Sequence, residues 1–543
     1  MSPSTAHPNP SLTTTTYYPE IKRQLLEVFK LTAFRPNQLE VITAALDVKD
    51  VFVLMPTGGG KSLCYQLPAV CSSGKTKGVT VVVSPLVALM KDQVHSLTSK
   101  KVKALLSDAA AGSDDWRSLV TSNDKPSLWF VTPEKLQHST SANNILSILY
   151  KNNDLARFVI DEAHCISTWG QDFREAYTAL GSLRDRYESV PIMALTATAN
   201  ERTVEDIKAQ LKMKHDHKFF TQSFNRTNLK YLVQRKKTNL LVDIVAFINE
   251  KHRGEAGVIY CTARMTCESV AESLRLKGIK AAHFHAGMPA DEKEKTVYNW
   301  QNGIVPLIVA TIAFGMGIDK ADVRFVVHYD MPKSLSGYYQ ETGRAGRDGK
   351  PADCLMCMSF SRSLSFAPNI YASEDASADS IKRQENAARE VYRFCQNTSE
   401  CRRLQILQHF DEKFDKSQCA MGCDNCEDGR ETVQEDVTSH ARDAIKLLQY
   451  LVKDRGENVT ESHLEAVLRG ANTSDIRARQ HDKLPQYSSC SAMPKELLEL
   501  MLDKLKADDL LALKSLKNRS GYHNTYLDVR QRDIMIPRPI LTV

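Results

Sequence analysis

The chain has 543 residues, 42% hydrophobic and 25% charged, which is ordinary globular composition with material for three or four domains. Lys and Arg number 71 against 65 Asp and Glu, a net charge of +6 that is too small to argue for a nucleic-acid partner by itself. The longest apolar stretch, Val79 to Met90, is interrupted by Thr80, Ser84 and Pro85. Thirteen cysteines without a secretory signal favour metal binding over disulfides, so a secreted scaffold, a membrane protein and a disordered chain are excluded.

Residues 1–16 are polar and read as a disordered tail. From 17 to 218, compact apolar runs (Val51–Met55, Val79–Val83, Trp129–Val131, Phe158–Ile160 and Ile192–Leu195) alternate with helical patterns. Each run ends at a Pro, Gly, Ser or acidic residue, as buried parallel strands do before a functional loop. The alternation resumes over 219–362 with Val258–Tyr260, Ala281–Phe284, Leu307–Ala310 and Phe325–His328. The fold class is therefore α/β, with two tandem parallel sheets flanked by helices. A polar linker near 367–380 leads into a helical, cysteine-containing region over 363–430. In the last region, 431–543, three amphipathic helices precede alternating Leu511/Leu513 and Leu527/Val529, the pattern of a winged helix.

The sharpest local signal is Val51-Phe-Val-Leu-Met-Pro-Thr57-Gly58-Gly59-Gly60-Lys61-Ser62. A strand runs into glycines whose backbone amides can close around phosphate oxygens, and a helix then begins with its positive end facing them. In such a loop Lys61 reaches the β- and γ-phosphates and Ser62 ligates Mg²⁺; Met55 stands where the general pattern has its first glycine. At the end of another strand, Asp161 and Glu162 are adjacent carboxylates that need a cation. Mg²⁺ on Asp161 supplies one and frees Glu162 to orient and deprotonate water, whereas a solvated acidic turn would not sit on an apolar strand. In the second unit, Gln340-Glu-Thr-Gly343-Arg344-Ala-Gly346-Arg347 sets two arginines among small residues. Arg347 is the candidate to stabilise charge growing at the γ-phosphate, with Arg344 beside it. A phosphate loop and an arginine from different units describe a motor driven by ATP.

The ordered segments TGGGKS, SPLVALMKDQV, TPE, DEAH, TAT, SFNRTNLKY, VIYCTAR, VATIAFGMGIDK and QETGRAGRDG resemble superfamily-two helicases, and specifically RecQ-family DNA helicases. That resemblance implies two RecA-like lobes that unwind DNA 3′ to 5′ at the expense of ATP. It implies further that Gln38 and Arg35 read adenine, that His164 and Gln340 belong to the catalytic set, and that Thr196, Thr198, Gly315, Gly317 and Asp319 couple nucleotide state to lobe movement, Asp319 also binding the nucleotide. Ser84 and Thr132, within the quoted segments, are expected at DNA. The stretch Cys165-Ile-Ser-Thr-Trp169-Gly-Gln-Asp-Phe173-Arg174 resembles the family's aromatic-rich loop. Its chemistry is sensible independently, since Trp169 and Phe173 offer planes for unstacked bases and Arg174 offers a charge for phosphate.

Cys419, Cys423 and Cys426 have C-x₃-C-x₂-C spacing, and Cys401 is the expected fourth thiolate of a structural Zn²⁺, with Cys395 as its rival. Across 511–540, six cations face Asp528 and Asp533, a local net of +4. Lys517, Arg519, Tyr522 and His523 mark a basic hairpin suited to duplex DNA. The expected cofactors are ATP, Mg²⁺ and Zn²⁺. The expected partners are single-stranded and duplex DNA with recombination and replication proteins, with no membrane, and the family resemblance places the chain in the nucleus. The competing readings are an RNA helicase of the DEAH type and a zinc-stabilised DNA-binding scaffold with weak ATPase.

Overall fold

The computed structural model describes residues 10–107, 119–120, 125–167, 174–235, 240–315, 320–358, 378–427, 434–508, 510–517, 523–529 and 540–542. Seven strands build the first lobe: β1 (Val51–Leu54), β2 (Val79–Val83), β3 (Ala104–Ser107), β4 (Leu128–Val131), β5 (Leu155–Ile160), β6 (Ile192–Thr196) and β7 (Lys218–Thr221). They form one parallel sheet in the order β3-β4-β2-β5-β6-β1-β7. Because side chains alternate along a strand, Val51 and Val53 enter one apolar cluster while Phe52 and Leu54 enter the other. Burial on both faces is why β1, β2, β4, β5 and β6 read as apolar runs.

The second lobe repeats the plan with β8 (Leu229–Arg235), β9 (Gly257–Tyr260), β10 (Ala281–Phe284), β11 (Leu307–Ala310), β12 (Phe325–His328) and β13 (Ala352–Met358). Its parallel order is β10-β11-β9-β12-β13-β8. Nine of these thirteen strands are the ones the apolar runs predict. The division at 218/219 needs correction, because β7 continues to Thr221 and pairs with β1. Of the tail over 1–16, residues 1–9 lie outside the described residues, while Pro10–Thr13 form a helical turn and Leu12 lies against the first-lobe core together with Tyr17, which corrects the expectation there. Two or three apolar side chains with a core to land on suffice to order a polar stretch.

The helices Ala378–Gln396 and Arg402–His409 follow, then the cysteine segment, which docks on the edge of the second sheet. Tyr231 N of β8 donates to Gly422 O at 3.1 Å, and Val233 N donates to Asp424 Oδ2 at 2.8 Å. The last unit has its own core, built from the helices Thr438–Gln449, Glu461–Leu468 and Lys495–Ala507. The predicted hairpin is present as β15 (Leu511–Lys517) and β16 (His523–Val529), paired from Leu511↔Val529 to Lys517↔His523. The pattern missed a second pair, β14 (Gln434–Asp436) with β17 (Ile540–Thr542). Among the described residues no helix is long and apolar enough to cross a membrane.

One ion-pair cluster in the second lobe carries a pH dependence. Burial pushes the His252 imidazole down, but hydrogen bonds to Asp353 (3.2 Å) and Glu255 (2.8 Å) outweigh it and raise its pKa above the ordinary value. A raised histidine stabilises the fold fully below its unfolded pKa, and that contribution is lost as pH rises through the elevated folded value. His252→Gln should therefore reduce the fall in thermal stability as pH rises from below about 6.5 through the elevated folded value. Parallel melting curves of variant and parent test this, and an unchanged difference across that window would refute it.

Candidate active site and metal centre

Ligand sites in parallel α/β sheets lie outside the carboxyl ends of the strands, and here three adjacent strands, β5, β6 and β1, deliver their following loops to one place. The loop after β1 turns through Gly58 (φ 80°) and Gly60 (φ 89°) into the helix Lys61–Ala69. The φ of Gly60 is one that side-chain-bearing residues rarely adopt, and a Cβ there would also displace the Gln38 amide, 2.3 Å away. Lys61 Nζ donates to Met55 O at 3.1 Å. Met55 itself is buried in the core, and its carbonyl serves the loop although its side chain departs from the glycine pattern. Burial pushes the Lys61 ammonium down, while Glu162 and Asp161 oppose that shift.

Asp161 and Glu162 follow β5. Burial raises the Asp161 carboxyl to about 7, Glu162 adds to the rise, and Lys61 counters it. Glu162 sits in the left-handed region (φ 48°, ψ 47°), a strain on the order of 1 kcal/mol for a side-chain-bearing residue. Its Oε2 is buried with no hydrogen-bond partner, 3.4 Å from His164 Nδ1. His164 Nδ1 shares a 2.8 Å hydrogen bond with Thr196 Oγ1, and Thr196 Oγ1 also accepts from Thr198 N at 3.2 Å. The acidic turn and the TAT segment are thus one hydrogen-bonded unit. A buried Asp161 with a partly buried Glu162 beside it, near a partly buried lysine and glycine amides, fits an anion carrying a divalent cation. Lys61, Ser62 and the loop from Thr57 to Gly60 would hold the phosphates, and Ser62 with Asp161 would hold Mg²⁺.

The second lobe reaches the same loop. Thr57 Cβ lies 3.2 Å from where Gly343 would carry a Cβ, and Arg347 Cγ lies 3.6 Å from the corresponding position on Gly58. Arg347 is close enough to bear electrostatically on Lys61. Arg344 takes a different place. It is buried beside Tyr260 and lines a cavity of about 490 Å³ between the lobes, together with His164, Thr198, Gly315 and Gln340. The two arginines therefore occupy different places, Arg347 over the phosphate loop and Arg344 in the cleft behind it.

The motif reading missed Arg226. Its guanidinium donates to Thr57 O (3.2 Å) in the first lobe and to Gly343 O (3.3 Å), Ala345 O (2.9 Å) and Gly346 O (3.0 Å) in the second. It lies in the segment SFNRTNLKY, where an arginine between two asparagines in a connection between lobes was the available signal. Arg403 holds the same connection from outside, donating to Asn225 Oδ1 (2.7 Å), Arg226 O (2.7 Å) and Leu229 O (2.8 Å).

Several expected residues meet local constraints. Gln38 is buried, with Oε1 accepting from Arg35 N (2.7 Å) and Nε2 donating to Gly60 O (3.0 Å). Arg35 donates to Gly58 O. The pair staples the segment expected to read adenine onto the phosphate loop. Ser84 must be corrected as a DNA contact, because it is 1% exposed on the core side of the turn after β2. Thr132 caps the helix Pro133–His138 by accepting from Lys135 N, so its oxygen already serves the fold. Arg174 donates to Pro85 O at 2.8 Å and lies 4.0 Å from Glu134, half-buried against protein. Trp169, Phe173, Gly317, Asp319, Arg519 and Tyr522 lie outside the described residues, as do the side chains of Lys517 and His523.

Cys401, Cys419, Cys423 and Cys426 converge with all sulfurs within 4.8 Å of one another. The Cys419–Cys423 and Cys423–Cys401 separations are 3.9 and 4.0 Å. Zinc–sulfur bonds of about 2.3 Å in a tetrahedron put sulfurs roughly 3.8 Å apart, so the cluster fits Zn²⁺. Hydrogen bonding from Cys401 holds the Cys423 thiol down at about 5, and the same contact pushes Cys401 up. Four thiols this close cannot all ionise without a cation among them. Cys395 is buried in the helix Ala378–Gln396 and does not join the group.

Four family models match in order: DEAD/DEAH box helicase over 35–207, helicase conserved C-terminal domain over 236–349, RecQ zinc-binding over 363–427 and RQC domain over 431–535. The chain is 43% identical over 513 residues to the ATP-dependent DNA helicase hus2/rqh1 of Schizosaccharomyces pombe, covering 94% of this chain and 38% of that protein. It is 41% identical to the ATP-dependent helicase SGS1 of Saccharomyces cerevisiae, covering 94% and 35%. The ATP-dependent DNA helicase Q1 of Mus musculus is 40% identical over 468 residues, covering 85% of this chain and 70% of its own length. The chain thus spans little more than a third of the two yeast relatives. In fold it resembles the DUF1998 helicase MrfA bound to DNA (TM-score 0.54, 15% identity, 72% of this chain and 59% of that one). The Mycobacterium smegmatis helicase Lhr, bound to single-stranded DNA and AMP-PNP, is similar over 94% of this chain and 77% of its own (TM-score 0.51, 14% identity).

Proposed function

The chain belongs to the RecQ family of helicases, and on that premise we propose that it is an ATP-dependent DNA helicase, moving 3′ to 5′ on one strand and separating the duplex ahead of it. The observation that carries this reading is the composite cleft, with Lys61, Asp161 and Glu162 from the first lobe and Arg347 from the second meeting at one glycine loop.

Bound Mg²⁺ would neutralise phosphate charge and relieve the repulsion between Asp161 and Glu162. The chain's own residues do the rest. Glu162 Oε2, which no hydrogen bond engages, accepts a proton from the attacking water. Lys61 exchanges the Met55 carbonyl for a phosphate oxygen. Arg347 meets the charge that grows as the γ-phosphoryl leaves, and Arg226 keeps the two lobes in register while it does so. His164, bonded to Thr196 and facing the inter-lobe cavity with Gln340 and Arg344, is placed to pass nucleotide state to that cavity.

DNA repair and recombination, in the nucleus and with recombination and replication proteins, is the setting we assign to it from the family. The names of the matched relatives favour DNA over the RNA-helicase reading. The intact cleft disfavours a scaffold with weak ATPase.

The test is Lys61→Ala. ATP hydrolysis stimulated by single-stranded DNA should fall to background, because the ammonium that holds the phosphates is gone. DNA affinity should stay within about threefold of the parent, less than 1 kcal/mol. Retained hydrolysis would refute the site, and stimulation by RNA in place of DNA would overturn the substrate.

A further inference from the structure

His283 on β10 and His285, one residue past its end, converge with Glu268 from the helix Arg264–Leu276 packed over that strand. Their imidazole rings stack at 5.6 Å with an interplanar angle of 16°. His285 Nε2 lies 2.9 Å from Glu268 Oε1. The donor atoms of all three residues lie within 4.8 Å of one another. Among the described residues this is the only other group besides the four cysteines in which three metal-ligating side chains converge.

From this we infer that the second lobe carries a second metal site, held by Glu268, His283 and His285, for a first-row divalent transition ion such as Zn²⁺. The donor set decides the class of ion. Two imidazoles and one carboxylate suit Zn²⁺, Co²⁺, Ni²⁺ or Cu²⁺, whereas Mg²⁺ prefers oxygen ligands and its own water. Metal–nitrogen bonds of about 2.0–2.1 Å place ligand atoms roughly 3–4 Å apart, so small side-chain turns close the site. The His285 side chain is 7% exposed, and its Nδ1 is buried with no hydrogen-bond partner. A buried ring with one orphaned nitrogen is already desolvated, which removes part of the cost of ligation. The Glu268 side chain is 52% exposed, leaving the outer face of the ion to water. That distinguishes the site from the closed cysteine centre, whose ligands come from the region after the second lobe. The ion would tie β10, an edge strand of its sheet, to the helix over it.

The experiment titrates the full chain, with zinc already in its cysteine cluster, with Co²⁺ in excess Mg²⁺. One further equivalent should bind, giving weak visible d–d absorption without the intense near-ultraviolet charge transfer of cobalt–thiolate bonds. His283→Ala and Glu268→Gln, both at partly exposed positions, should each weaken that equivalent at least tenfold while leaving the zinc content at one per chain. Circular dichroism and melting curves establish that the variants are folded. The inference is overturned if no further equivalent binds, if the added cobalt shows thiolate charge transfer, or if its affinity is the same in both variants.

Discussion

Arg347→Ala lowers the maximal rate of DNA-stimulated ATP hydrolysis by roughly a thousandfold or more, about 4 kcal/mol of transition-state stabilisation, with a much smaller change in nucleotide affinity. The reasoning begins with position. Arg347 follows a chain of small residues, Gly343, Ala345 and Gly346, that lets the second lobe approach the glycine loop closely enough for its side chain to lie against Gly58. A guanidinium there is weakly engaged by the ground state, but it faces the oxygens whose charge increases as the γ-phosphoryl departs. Interactions stronger in the transition state than in the bound substrate raise kcat rather than lower KM. Arg347→Lys restores the charge without the planar fork and should recover only part of the loss. Measuring kcat and KM separately, at saturating single-stranded DNA, decides the matter. A kcat within threefold of the parent would remove Arg347 from the reaction and leave Arg344 as the remaining candidate.

Much of this arrangement was legible before any coordinates. Strands buried on both faces announce themselves as apolar runs, so β1, β2, β5, β6, β9, β11 and β12 could be read directly. Strands with mixed character could not. Lys218–Thr221 is half polar because β7 is an edge, and Leu229–Arg235 has mixed character because β8 is also an edge, paired with β13 on one side and meeting the cysteine segment on the other. The short pairing of β14 with β17 joins residues about a hundred apart, and three-residue strands carry no periodicity.

At the site, motif chemistry located Lys61, Asp161, Glu162, Arg347 and the four cysteines, because each demands a residue type at a fixed spacing. Residues that act through backbone carbonyls were invisible. Arg226 binds four main-chain oxygens, and nothing in the sequence of those partners identifies them. Ser84 failed for the opposite reason: a polar residue at a strand end reads as exposed, yet the turn after β2 folds it inward. Spacing also left two candidates for the fourth thiolate. Distance decides between them, since Cys401 precedes the helix Arg402–His409 with its sulfur 4.0 Å from that of Cys423, while Cys395, on the helix Ala378–Gln396, is buried in the apolar core.

That choice leads to the other large effect. Cys423→Ser should eliminate stoichiometric zinc and unfold the region from about 397 to 427, with loss of soluble protein, whereas Cys395→Ser keeps its zinc. Structural zinc in small domains contributes roughly 10 kcal/mol or more of folding free energy, far above what the few apolar side chains of this segment supply. The consequence extends beyond the cluster. Cys423 sits between Gly422, which accepts from Tyr231 N, and Asp424, which holds Val233 N and Arg402. Arg403, two residues after Cys401, grips the connection that carries Arg226, and Arg226 in turn spans Thr57 and Gly343 at the nucleotide cleft. Losing the metal therefore loosens a continuous set of contacts ending at the phosphate loop, and ATPase activity of any soluble fraction should fall with its zinc content. Elemental analysis and limited proteolysis read the first effect, and ATPase rate plotted against bound zinc reads the second. A Cys423→Ser protein that retains one zinc per chain, or one that loses zinc yet hydrolyses ATP at the parental rate, would break the link between the two centres.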